Sequence, residues 1–208
     1  MMRRPFGLTW PALLLALLAM SVSAEDAPVT SPESALSQTE RGMLLEVNDL
    51  VQEARFTEAD AMLRSILDRN PDFNQARQIH AAVLISLNQY EQAIAELEEL
   101  LRRQPDDPRA MNNLAWMLAT STDTRFREPA RALQLAQDAV LLSPSDYHMW
   151  STLAEAHRVN ANFEQALKAI RQAIELAARR NAPPDTRATY QRQFEELREV
   201  ASIMSLIE

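Results

Sequence analysis

The chain has 208 residues, no cysteine, two glycines and a formal net charge of −8. Without cysteine there is no disulfide, thiolate nucleophile, iron–sulfur ligand or cysteine-linked lipid. With only Gly7 and Gly42, isolated from each other, a glycine-rich phosphate-binding loop cannot be built, and the acidic balance disfavours nonspecific binding to nucleic acid or anionic lipid.

Residues 1–24 read as a signal peptide. Arg3 and Arg4 form the positive end, "GLTWPALLLALLAM" is a short apolar run, and Val22, Ser23 and Ala24 suit cleavage after Ala24. An uncleaved N-terminal membrane anchor is the alternative, disfavoured by the short run and by Pro11 within it. Arg3-Arg4 followed by Phe6 leaves both the general and the twin-arginine export routes open. Cleavage removes two arginines and no acid, so the net charge moves from −8 to −10. The expected location is the periplasm, with no stable membrane insertion after cleavage. Residues 25–38, "EDAPVTSPESALSQ", read as a flexible linker rich in Pro, Ser and acid.

From there the pattern is helical. "YEQAIAELEELLRRQP" from Tyr90 nearly returns as "FEQALKAIRQAIELAA" from Phe163. Small residues at Ala59, Ala93, Ala132 and Ala166 are spaced 34, 39 and 34 apart, and Pro71, Pro105 and Pro144 keep the same 34 and 39. A small residue lets two helices cross closely, and a proline stops one helix and starts the next. The low glycine content predicts few tight turns. After Pro183-Pro184, Tyr190, Phe194, Leu197, Ala201 and Met204 form one apolar stripe on a ninth helix, about Asp185 to Ser205. Ile203, Leu206 and Ile207 lie partly off that stripe, as frayed end residues or as a dimer or partner contact.

This pattern resembles the tetratricopeptide repeat family. Trp150, Leu153, Ala154, His157, Phe163, Ala166, Ile170 and Ala173 carry the fullest copy, and Ala81, Leu84, Tyr90, Ala93, Leu97, Leu100 and Pro105 the second. Leu114, Ala115, Leu118, Ala132, Ala136, Ala139 and Pro144 carry the third, and Leu50, Phe56, Ala59, Leu63, Ile66 and Pro71 a degenerate first. The resemblance implies an all-α, right-handed helix-turn-helix solenoid of about four repeats at 40–73, 74–107, 108–146 and 147–180. Residues 183–208 would form a C-terminal capping helix, which such stacks require.

The residues point away from catalysis. His80 and His157 fall at interhelical positions, His148 is expected at the surface, and no two histidines have the i, i+4 spacing of a helical metal site. The runs "ELEE" and "FEELRE" read as solvated faces balanced by arginines. No metal, cofactor or enzymatic activity is expected. Recognition of another protein or peptide segment is. The resemblance implies a concave groove lined by the first helix of each repeat. That assigns Asn48, Gln52, Gln75, Gln78, Ala82, Asn112, Asn113, Trp116, Thr120, Ser151, Glu155 and Arg158 as partner-binding residues. Trp116 can instead pack on the neighbouring repeat. A carboxylate clamp is excluded by Leu44 and Thr152, where basic residues would be needed. The five extra residues fall in "TSTDTRFREP", a longer turn or a side contact carrying Arg125, Phe126 and Arg127. Two other functions stay open: a periplasmic chaperone that holds apocytochrome c for haem attachment, and a self-assembling structural solenoid.

Overall fold

The computed structural model describes residues 38–204 and 206. The expected signal peptide, Ile207 and all of the expected linker except Gln38 lie outside the described residues. All regular structure among the described residues is helical, as expected: α1 (Gln38–Gln52), α2 (Phe56–Arg69), α3 (Asn74–Ser86), α4 (Tyr90–Arg103), α5 (Pro108–Thr120), α6 (Pro129–Leu142), α7 (Tyr147–Val159), α8 (Phe163–Arg179) and α9 (Pro184–Met204). A short 3-10 turn, Thr124–Phe126, lies between α5 and α6.

Local chemistry sets the helix ends. Asp107 Oδ1 accepts from the N–H groups of Arg109 and Ala110 at 2.9 and 3.1 Å, capping α5, with Pro108 in its first turn. Asp146 Oδ1 accepts from the His148 N–H at 2.9 Å and caps α7. The turns after α1, α3, α7 and α8 are tight, contrary to the expectation drawn from low glycine. Each is closed by a left-handed residue that is not glycine: Ala54, Asn88, Ala161 and Asn181, at φ 56°, 58°, 58° and 51°. Each turn makes the two bonds of a Schellman closure. After α7 they are Asn162 N–H to His157 O at 2.9 Å and Ala161 N–H to Arg158 O at 3.0 Å. Asn tolerates this conformation, whereas Ala strains in it.

The first helices α3, α5 and α7 are buried over most of their length, whereas α1 buries one stripe, Leu44, Val47, Leu50 and Val51. In α3, every residue from Ile79 to Ile85 is buried, and in α5 every residue from Leu114 to Ala119. The second helices bury one stripe: Ala59, Leu63 and Ile66 in α2, and Ala166, Ala169, Ile170, Ala173 and Ala177 in α8. Alanines on that stripe let the helices approach closely. Each fully buried Leu or Ile contributes about 1.5–3 kcal/mol.

The described residues divide into two compact units, with the division between Glu96 and Leu97, inside α4. In the first, the described core is built from α1, α2 and α3. In the second, α5 to α9 pack in succession, and α7 also lies against α5.

Candidate partner-binding faces and their polar seams

In the first unit, Gln52 at the end of α1 is exposed, and Asn48 on α1 and Gln75 and Gln78 on α3 are half-buried. Ala82 is buried. Below the α3 amides lies a charged cluster. His80, 5% exposed, has Nε2 2.8 Å from Asp60 of α2 and Nδ1 3.2 Å from Glu96 of α4. Arg64 Nε donates to Asp60 at 3.0 Å, and Arg77 pairs with Glu96. Burial pushes the Glu96 carboxyl up, but the His80 bond and the Arg77 charge and bond outweigh it and hold the group below its ordinary value. Acids on neighbouring helices thus satisfy a core histidine, which is why it can be buried.

The second unit places its expected lining residues differently. Asn112 and Trp116, one turn apart on α5, are only 1% and 4% exposed. Asn112 Oδ1 and Trp116 Nε1 have no hydrogen-bond partner among the described residues. Asn113 and Thr120 are half-buried, and Thr120 Oγ1 donates to the Trp116 carbonyl at 2.8 Å. On α7, Ser151 and Glu155 are 1% and 2% exposed, while Arg158 is exposed. Trp116 is therefore a packing residue. It, Asn112, Ser151 and Glu155 offer almost no open surface.

Helix α9 covers α7 along a polar line. Ser151 Oγ donates to Gln193 Oε1 at 2.9 Å, and Gln193 Nε2 donates to the Ser151 carbonyl at 3.3 Å. Glu155 accepts from Arg158 Nε at 2.9 Å. Glu196 of α9 is raised by burial and by the Glu155 charge, against the opposing pull of Arg192 and Arg158. His148 is not at the surface as the sequence suggested: it is 3% exposed, and its Nδ1 lies 2.8 Å from the Tyr190 hydroxyl. A partner 42 residues downstream makes its burial possible, and no local pattern carries that information. His157 is half-buried, with Nδ1 unpartnered among the described residues. Sequence reasoning missed Gln193 as well. Its signal was available, since it follows Tyr190 by three residues on the stripe that meets α7.

The insertion between α5 and α6 is ordered by Asp123, which binds the Arg125 N–H at 3.0 Å and its guanidinium at 2.6 Å. Arg125 lies over the Phe126 ring at 5.6 Å. Arg127 donates to the Ser121 carbonyl at 2.7 Å. Between α8 and α9, Arg171, Ile174, Glu175, Gln191 and Phe194 line a shallow cleft. Among the described residues, no group of three or more His, Asp or Glu is placed to hold a metal ion. No described helix is long and apolar enough to cross a membrane.

Residues 50–116 match the tetratricopeptide repeat family profile. This stretch of the chain carries the tetratricopeptide repeat. Solved structures with the tetratricopeptide repeat fold agree at low identity. A Thermus thermophilus tetratricopeptide repeat protein, TTC0263, shares 18% identity at TM-score 0.58 over 81% of this chain and 99% of its own. A MamA fragment from Desulfovibrio magneticus RS-1 shares 15% at TM-score 0.56, over 81% and 98%. PilW, a widely conserved type IV pilus biogenesis factor, shares 15% at TM-score 0.58, over 79% and 80%. No curated protein matches the sequence.

Proposed function

We propose that the protein is an exported, non-enzymatic adaptor that binds a segment of another protein on the first helices of its tetratricopeptide repeats. The observation that carries this reading is on α3. Gln75 and Gln78 stay partly exposed, directly before the buried run Ile79–Ile85 that anchors the helix. Side-chain amides both donate and accept, so they suit a peptide backbone, and a rigid helix presents them at little ordering cost. Asn113 offers the same chemistry on α5 in the second unit. The charge pattern and residues 1–24 support export to the periplasm.

The test is in-cell photocrosslinking from position 78 and, separately, from position 113, read by mass spectrometry. The expected result is one discrete foreign protein whose capture at position 78 falls about tenfold with Gln75→Ala, the loss of one or two good hydrogen bonds. Self-crosslinks alone would replace the adaptor with a self-assembling solenoid, and no crosslink at either position would reject binding on these helices.

A further inference from the structure

His148 sits at the second position of α7, behind its cap Asp146. Its ring packs 4.3 Å from the Tyr147 ring and 6.2 Å from the Tyr190 ring. Tyr190 is fully buried on α9, and its hydroxyl reaches His148 Nδ1 at 2.8 Å. A phenol that donates to Nδ1 requires a bare lone pair there, hence a neutral imidazole carrying its proton on Nε2.

Among the described residues, no carboxylate is hydrogen-bonded to the His148 ring, so an imidazolium would lack a direct ion pair. On α7 itself, the Asp146 carboxylate is engaged by the His148 backbone N–H at 2.9 Å. From α5, Arg109 acts on Asp146, and just past the end of α8 so does Arg180, whose guanidinium binds Ser145 Oγ at 2.9 Å. From α9, among the described residues, the group in contact with the ring is the Tyr190 phenol. One turn further along, Ser151 and Gln193 continue the same neutral, hydrogen-bonded line. Polar groups hold this stretch of α9 to α7.

We propose that the His148–Tyr190 contact is a proton-sensitive latch: protonation of His148 releases α9 from α7 and bares the α7–α8 face beneath it. Burial lowers His148 from 6.5 to about 3 while α9 is docked. The docked form therefore binds fewer protons than the released form. Docking is at full strength above pH 6.5 and is lost progressively as pH falls toward 3. Between pH 7 and pH 5 the docking equilibrium weakens about twenty-five-fold.

Amide hydrogen exchange on the full chain tests this, with rates corrected for intrinsic exchange at each pH. The expected result is that α9 amides lose about twenty-five-fold in protection from pH 7 to pH 5, while His148→Asn, whose Oδ1 stands where Nδ1 stood as an acceptor for Tyr190 but cannot titrate, loses less than about threefold. An equal loss in the variant, or none in the wild type, overturns the latch. Should the variant fold poorly, imidazole NMR on the wild type decides. His148 is expected to stay the Nε2–H tautomer down to pH 5, and a ring that titrates there with α9 still protected overturns the proposal.

Discussion

His80 in the first unit and His148 in the second are both buried on the first helix of a pair, 5% and 3% exposed. Their surroundings are opposite. His80 has a carboxylate at each ring nitrogen, from Asp60 and Glu96, with Arg64 and Arg77 closing the cluster. His148 has one phenol and aromatic walls. The two sites show that burial alone does not set how a polar side chain serves a helical stack. The neighbouring helix does, by offering either charges that must stay paired or neutral groups that must stay neutral. The first arrangement resists losing a partner, and the second resists gaining a charge.

The neutral site depends most on Tyr190, which supplies it with both ring and hydroxyl. Tyr190→Ala opens a large cavity and strips the His148 contact, and it is expected to cost about 3–5 kcal/mol. Urea unfolding followed through the α9 amides measures it, and a cost below about 1 kcal/mol would mean that α9 is held elsewhere. The charged site breaks next. Glu96→Gln leaves Arg77 without its carboxylate and weakens one His80 contact, for an expected loss of about 1–3 kcal/mol in the first unit. Its pH signature separates the two sites. Glu96 is depressed in the fold, so its contribution is complete above its ordinary value of 4.5 and disappears as pH falls through its lower folded value. Acid unfolding of wild type and Glu96→Gln should therefore converge only well below pH 4.5. Convergence already near pH 6 would contradict the Arg77 and His80 contacts. The smallest effect lies in the turns. Ala54→Gly and Ala161→Gly relieve a left-handed alanine in each unit, and each should stabilise by about 0.5–1 kcal/mol, read as a raised melting temperature. Destabilisation would show that these alanine methyls pack.

Much of the architecture was legible because helical pairing repeats a local rule. The alanines at 59, 93, 132 and 166 all prove fully buried, and the prolines stand just past the ends of α2, α4 and α6. The terminal stripe placed α9 to within a residue at each end. Of that stripe, Tyr190 and Leu197 are buried, Phe194 and Ala201 are half-buried, and Met204 is exposed. Ile203 and Leu206 are exposed, in keeping with positions off the stripe. The candidate lining was less legible. Asn112, Trp116, Ser151 and Glu155 carry the right residue types at the right spacing, yet all are buried.

The sequence by itself determined the all-α repeat, its period and its irregular third turn, because the helices follow from spacings within a few residues and the period from the return of the same small residues and prolines after 34 and 39. Tertiary structure alone decided which polar side chains face water and which face another helix. Tyr190 meets His148 and Gln193 meets Ser151 across 42 residues. Such pairings depend on how one helix is rotated against the next, and a turn of that rotation exchanges a solvated amide for a buried hydrogen bond.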